Sequence, residues 1–277
     1  MTGTPSTGFS GDEVLEAVGR LLIHAAEHEV MPYFGPGRAA PREKSPGEWV
    51  TLADRACEAF LTAELGALIP GSRVVGEEAA AADPELFSLL DSTDLIWLVD
   101  PLDGTSNFAR GVSPFAIMVA LLRGGEPMYS WVLDPTSQEL SVSKRGAGAW
   151  INGVQHFASL EARPVEQMTG AVLTRFLPDE VRTRVEGASQ LFGSLRPGSL
   201  CAGHDYVDVV RGTLDFVLYW RTLPWDHVPG AAFLREAGGV ARRLDGTDYT
   251  SRDHARTGLL VAGNERTWDL VANCLFA

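Results

Sequence analysis

Apolar residues in the first quarter of the chain recur at helical spacing. Val14, Leu15, Val18, Leu21, Leu22 and Ala25 share one face of a helix expected over residues 11–33, and Pro32 closes it. Residues 34–47 hold Gly35, Pro36, Gly37, Pro41, Pro46 and Gly47 and read as a loop. The helical period returns over residues 51–68, with Ala53, Cys57, Phe60, Leu61, Leu65 and Leu68 inward and Pro70-Gly71 as the stop. The period then changes. Residues 95–99 form a short apolar run, the pattern of a buried strand. Further strands are expected at 114–122, 128–133 and 139–143, with turns at Gly124-Gly125 and Asp134-Pro135. The second half mixes strands near 171–174 and 214–220 with helices near 202–210, 227–237 and 265–275. This order predicts a mixed α+β or α/β protein. Residues 1–155 and 156–277 are expected to form two intimately packed halves, with a change of layer near 152–166.

The 277 residues, 45% hydrophobic and 21% charged, are enough for a large buried core and exclude wholesale disorder. No apolar run approaches the roughly 18 residues of a membrane span. The first ten residues lack the basic start and apolar stretch of a signal peptide, so they read as a loose leader and the chain as cytoplasmic. Cys57, Cys201 and Cys274 are scattered and odd in number, which argues for ordinary thiols rather than disulfides or structural zinc. The net charge of −13 excludes nucleic-acid binding through a basic surface. It also sets a condition on any phosphorylated substrate: something local has to reverse the sign. Divalent cations held by clustered carboxylates would do so.

Such a cluster is visible. Asp100 and Asp103 close the buried strand, Pro101 stiffens the turn between them, and Gly104 permits a tight bend before Thr105 opens a helix. Two carboxylates and the Leu102 carbonyl then leave a rigid strand end together, an oxygen set suited to hard divalent ions. The helix start beyond offers N–H groups to a phosphate. Glu77-Glu78 follow Val74-Val75, and Asp226 follows Pro224-Trp225, just before an expected helix. Singly, Glu77-Glu78 also reads as a solvated turn and Asp226 as a helix N-cap. An unpaired carboxylate in such apolar company is costly to bury, and a shared metal cluster removes that cost.

Five elements, in order, resemble the inositol monophosphatase family of Mg²⁺-dependent, Li⁺-sensitive phosphatases. They are Val50-Thr-Leu-Ala-Asp54, Gly76-Glu-Glu78, Trp97 through Phe108 (Trp-Leu-Val-Asp-Pro-Leu-Asp-Gly-Thr-Ser-Asn-Phe), Arg145 through Gly153, and Trp225-Asp226 with Glu236-Ala-Gly-Gly. The resemblance runs from about residue 12 to the end. It implies an αβαβα sandwich of the inositol monophosphatase and fructose-1,6-bisphosphatase type, often dimeric. It implies one Mg²⁺ on Glu77, Asp100 and the Leu102 carbonyl, a second on Asp100, Asp103 and Asp226, and a third, weakly held, at Glu77. Asp54 and Thr105 would orient and deprotonate the attacking water, with Glu77 also catalytic and Glu78 in support. Gly104 and Thr105 would hold phosphate oxygens, while Asp103, Ala202, Tyr219 and Asp226 would meet the substrate, a small phosphorylated metabolite. Two departures stand out. Tyr219, followed by Trp220 and Arg221, occupies the position where inositol phosphatases carry an acid that grips sugar hydroxyls, and Ser199-Leu-Cys-Ala202 replaces the usual small-residue loop. Lys44 also stands one residue nearer Asp54 than the pattern has it. Inositol phosphate, histidinol phosphate, 3′-phosphoadenosine 5′-phosphate and fructose 1,6-bisphosphate all remain open as substrates.

Three rival constellations weigh less. His24-Ala-Ala-Glu27-His28 fits the pattern of inverted zinc peptidases, but no third ligand is evident and the histidines flank the apolar stripe. Asp100 and Asp103 stand three apart, against two in the haloacid dehalogenase phosphatases with their nucleophilic aspartate. Cys201 and His204 lack an orienting third group. A regulatory binding protein without catalysis would not need Asp54, Thr105 and the acids together.

Overall fold

In the computed structural model, which describes residues 11–39, 41–45 and 48–276, the stripes of the first two helices find a common partner. The leader and parts of the expected loop (Ala40, Pro46 and Gly47) lie outside the described residues. Helices α1 (Gly11–Ala25) and α2 (Leu52–Leu68) bury Val18, Leu22, Cys57, Leu61 and Leu65 against Trp97, Val99, Ile117 and Trp131 of one sheet face. Beyond Ala25 the first helix widens into an i→i+5 turn over Ala26–Val30, then tightens to a 3-10 turn, Met31–Tyr33, at Pro32. Where only loop was expected, β1 (Arg42–Ser45) pairs with β2 (Glu48–Val50). The charged β1 carries no apolar alternation that would announce it.

The sheet behind α1 and α2 has seven strands in chain order: β3 (Arg73–Gly76), β4 (Leu95–Asp103), β5 (Ala116–Arg123), β6 (Glu126–Asp134), β7 (Glu139–Lys144), β8 (Gly148–Ile151) and β9 (Val154–His156). Only β3 and β4 run parallel. Two short helices serve this sheet, α3 (Glu77–Ala82) after β3 and α4 (Thr105–Ala109) after β4. A second, five-stranded sheet is built from β10 (Thr169–Val172), β11 (Ser194–Pro197), β12 (Phe216–Tyr219), β13 (Val240–Arg243) and β14 (Leu259–Ala262), in the order β11-β10-β12-β14-β13. The changeover between sheets falls between His156 and Thr169.

Its outer face is covered by α5 (Asp179–Ala188) and, at the C-terminus, α8 (Glu265–Phe276), which bring Val185, Trp268, Val271 and Leu275 onto Phe216, Leu218 and Leu260. Helices α6 (Ala202–Arg211) and α7 (Pro224–Glu236) lie between the sheets. Their Tyr206, Val209, Phe233 and Leu234 share one core with Leu98 and Leu122 on one side and Val217, Ala241 and Val261 on the other. The layers therefore read α, β, α, β, α, as expected. Helix α7 begins at Pro224, three residues before the expected start, because proline suits a first helical turn. Asp226 thus lies inside that turn rather than ahead of it.

Candidate active site

Strand β4 does not stop before its acids. It runs on to Asp103 with an irregularity: Asp100 pairs with Met118 and Asp103 with Ala116, leaving Pro101 and Leu102 unmatched. A bulge is where a sheet tolerates proline, and it re-aims the side chains on either side. The expectation of a turn at Pro101 is corrected accordingly. The Leu102 N–H donates to Asp100 Oδ1 at 3.0 Å, which fixes the first carboxylate on the bulge. Gly104 then takes φ +85°, and a Cβ there would lie 3.0 Å from the Pro114 carbonyl oxygen, so only glycine fits. The Asn107 side-chain amide locks the following turn by donating to the Pro114 and Ser199 carbonyls, both at 2.8 Å.

The Thr-x-x-Asp spacing on α2 is a capping box. Asp54 Oδ2 accepts the Thr51 N–H at 2.7 Å and the Thr51 hydroxyl at 2.6 Å, while the Ala53 N–H donates to Thr51 Oγ1 at 3.1 Å. This leaves Asp54 Oδ1 for the Thr105 hydroxyl at 3.2 Å, and that hydroxyl also lies 2.9 Å from the Leu102 carbonyl. One turn further along α2, Glu58 accepts the N–H groups of Glu78 and Ala79, each at 2.8 Å. Glu58 therefore anchors the start of α3, the helix that carries Glu77. Gly76 lets it approach, since a Cβ there would meet the Glu58 carboxylate. Glu58 was not among the expected site residues, although an acid within the buried stripe of α2 is a visible signal. Lys44 completes this wall, donating to Glu77 at 3.1 Å and to Glu78.

Glu77, Asp100 and Asp226 come from α3, β4 and α7, and one carboxylate oxygen of each lies within 4.8 Å of the others. Asp103 borders the same cavity and accepts the Gly203 N–H at 2.7 Å from the first turn of α6. Burial raises all four, and repulsion adds to it at Glu77, Asp100 and Asp103. Glu77 is lifted to about 8, against the pull of Lys44, with Asp226 and Glu78 adding repulsion. Asp103 reaches about 7, with Asp226 as its main repelling charge. Asp226 reaches about 6, restrained by Arg221, Lys44 and a hydrogen bond with Asp100. Asp100 rises well above the ordinary carboxylate range, with Glu77, Asp103 and Asp226 repelling it. Buried acids that raise one another need a counter-charge, and their hard oxygens suit Mg²⁺. The residues present fit such an ion.

The remaining candidates divide. Gly104, Thr105, Ala202, Tyr219 and Asp226 border a cavity of about 380 Å³ that also contains the acids. Tyr219 itself is fully buried, and its hydroxyl donates to Asp205 at 3.4 Å. His227 is held well below its usual range, at about 3, chiefly by burial; Nε2 faces the Arg221 carbonyl at 3.1 Å. His204 turns to Asp134 at 3.7 Å, and the Cys201 thiol faces Asp103. His24 and His28 stack on each other with ring centres 4.1 Å apart, and His28 Nδ1 meets the His24 carbonyl. Cys57 and Cys201 are buried free thiols, and Cys274 is half-buried. No helix among the described residues is long and apolar enough to cross a membrane.

Comparison with known proteins shows a family and a fold. The model of the inositol monophosphatase family matches residues 11–275. An inositol-1-monophosphatase of Mesorhizobium japonicum is 33% identical over 234 residues, 80% of this chain and 80% of that protein. Nus factor SuhB of Escherichia coli K12 is 29% identical over 243 residues, covering 84% of this chain and 85% of that protein. Among solved structures, an IMPase of Thermotoga maritima superposes with a TM-score of 0.80 at 24% identity, covering 95% of this chain and 96% of that one. The suhB protein of Bartonella henselae gives 0.82 at 24% identity, over 95% and 98%. At that identity the solved structures speak for the fold alone.

Proposed function

This chain belongs to the inositol monophosphatase family, and we propose that it is a Mg²⁺-dependent phosphomonoesterase acting on a small phosphate monoester. The observation that carries this reading is the convergence of Glu77, Asp100 and Asp226 within 4.8 Å, beside the hydrogen-bonded pair Asp54 and Thr105. Glu77, Asp100 and the Leu102 carbonyl would hold one ion, and Asp100, Asp103 and Asp226 a second, with a third weakly held at Glu77. When bound, Mg²⁺ supplies the positive charge and Lewis acidity that the acid cluster lacks.

The chain's own residues would do the rest. Burial lifts Asp54 to about 6, so it is ionised at neutral pH yet more basic than an exposed carboxylate. The attacking water gives its proton toward the Thr105 oxygen as Thr105 passes its own to Asp54. The water oxygen forms a new bond to phosphorus, the bond to the alcohol oxygen breaks, and the departing alkoxide takes a proton from solvent, to which Asp54 releases the one it received. The N–H groups of Gly104 and Thr105 would hold phosphate oxygens during this exchange, with Glu78 and Lys44 keeping Glu77 in place. The small Ala202 leaves room beside them. Several relatives bear the name Nus factor rather than that of an enzyme. The contact between Asp54 and Thr105, which a binding module does not need, keeps catalysis first.

The test is hydrolysis of inositol 1-phosphate with Mg²⁺ by the wild type and Asp100→Asn. The variant is expected to lose activity, and a chelator to abolish it in the wild type. Equal rates, or chelator-resistant turnover, refute the proposal. A parallel screen of histidinol phosphate, 3′-phosphoadenosine 5′-phosphate and fructose 1,6-bisphosphate identifies the substrate. Li⁺ is expected to inhibit by occupying a Mg²⁺ position.

A further inference from the structure

We propose that Leu200 is a specificity-determining residue that selects esters whose alcohol turns a carbon face to the phosphate cradle, over esters of a fully hydroxylated polyol. The inference rests on the phosphatase reading above. Leu200 combines two features that folding alone does not favour. Its backbone takes φ +63°, the left-handed region that glycine or asparagine adopts with less strain. Its side chain is left 38% exposed and borders the catalytic cavity. An exposed leucine alone is ordinary, but a strained one at a functional site points to use. The bonds around it explain how the strain persists. The Asn107 amide donates to the Ser199 carbonyl at 2.8 Å, and the Ser199 N–H donates to Asp205 Oδ1 at 3.3 Å. The Ser199 hydroxyl reaches across Leu200, donating to the Cys201 carbonyl at 2.8 Å and accepting the Cys201 N–H at 3.2 Å. Beyond the loop, the Gly203 N–H donates to Asp103. The Leu200 carbonyl lies 3.2 Å from where a Gly104 Cβ would stand, so the residue is fixed beside the N–H groups proposed for the phosphate.

The rest of this wall agrees. Leu173, Trp220 and Leu223 border the same cavity. Tyr219 turns its hydroxyl to Asp205 at 3.4 Å. Arg175 and Arg221 lie against the Phe176 ring, with Cζ 4.8 and 4.3 Å from its centre, and neither stands free. A ring hydroxyl placed against the leucines would give up water without a new partner. A ring that presents carbon there loses no hydrogen bond and gains by burial. The family pattern has small residues in this loop, so Leu200 is a feature of this chain.

Inositol 1-phosphate and trans-2-hydroxycyclohexyl phosphate test this with Mg²⁺ present. Both carry the phosphate on a saturated carbon ring with a hydroxyl beside it, and inositol carries hydroxyls on all the other carbons as well. The wild type is expected to favour the hydroxycyclohexyl ester by about tenfold or more in kcat/KM, the worth of burying roughly two methylene groups. Leu200→Asn suits the left-handed backbone but removes the apolar surface. Its ratio should fall toward one, chiefly through KM, with a Tm no lower than that of the wild type. Leu200→Met keeps the apolar surface and should keep most of the preference. A wild-type ratio near one or in favour of inositol 1-phosphate overturns the proposal. So does a ratio unchanged in Leu200→Asn, or a lowered Tm with both esters slowed alike, the mark of a merely structural role. Turnover of neither ester counts against the phosphatase reading instead. Calorimetric titration of both esters into the same proteins then decides the role of Leu200 alone, by the same ratio of affinities.

Discussion

Replacing Asp226 with asparagine tests the central physical claim, that the acid cluster is a strained arrangement completed by cations. Burial lifts the Asp226 carboxyl from 3.8 to about 6. At about 1.36 kcal/mol per unit, holding it ionised in the metal-free fold at pH 8 costs about 3 kcal/mol. Asn keeps the shape, removes the charge and gives an N–H donor to the neighbouring Asp100. Without metal, Asp226→Asn is therefore expected to be more stable than the wild type by up to about 3 kcal/mol, the cost left after the pull of Arg221 and Lys44 on the carboxylate. With Mg²⁺ the gap closes. At an ion concentration of about 100 Kd the wild type gains about 2.7 kcal/mol by mass action, and the variant gains far less. The assay is urea unfolding followed by tryptophan fluorescence, with EDTA and with Mg²⁺. The pH dependence carries a sign. A carboxyl whose folded pKa is raised keeps its proton longer in the folded state, so stability is lost as pH climbs through the window. For Asp226 that window runs from 3.8 to about 6, and for Glu77 from 4.5 to about 8. The metal-free wild type should weaken across both, and the variant should lack the Asp226 share. A variant less stable than the wild type in EDTA at pH 8 would refute the reasoning.

Three further outcomes follow from named contacts. Glu58→Ala strips two backbone N–H groups of their acceptor at the start of α3. It should cost about 1–3 kcal/mol in urea unfolding and weaken Mg²⁺ binding measured by calorimetry, although Glu58 is no ligand. Thr105→Val keeps the shape but removes the hydroxyl shared with Asp54; kcat should fall by roughly 10²–10⁴, while Mg²⁺ affinity holds. His227→Gln addresses acid sensitivity. Burial holds His227 at about 3 against its ordinary 6.5, so between these values the unfolded chain binds a proton that the folded one refuses. Stability is lost as pH falls through that window, by about 2 kcal/mol at pH 5. The variant should show that much less loss between pH 7 and pH 5.

The legibility of this molecule in its sequence followed local patterning. The stripes of α1 and α2 and the apolar core of β4 have strong periods, so their existence was plain. Thr51 and Asp54 could be read through the family's Val-Thr-x-x-Asp pattern, and the structure shows that spacing to be a capping box. The bulge at Pro101 was misread as a turn because proline ordinarily interrupts a strand; only the partner strand, carried past it to Ala116, shows that the ladder resumes. Helix α3 escaped because Glu-Glu-Ala-Ala-Ala-Ala has no apolar stripe, and β13 and β14 escaped because four residues carry too little period. Glu58 drew no notice because the N–H groups it accepts, those of Glu78 and Ala79, lie 20 and 21 positions away.

That contrast bears on how such a site is built. Each acid of the cluster sits where its own segment is locally rigid: a bulge for Asp100 and Asp103, a proline-started helix for Asp226, and a helix start held by Glu58 for Glu77. Rigidity matters because the four charges repel. A flexible segment would swing its carboxylate out to water and relieve the strain, and the metal would then have to reorder it. Here the repulsion is opposed by Lys44 and Arg221 and by neighbouring N–H donors, so the carboxylates stay together. The same reasoning explains why the substrate-facing wall was the least readable part. Its residues come from separate loops and carry no shared spacing, so only the folded chain brings them to one cavity.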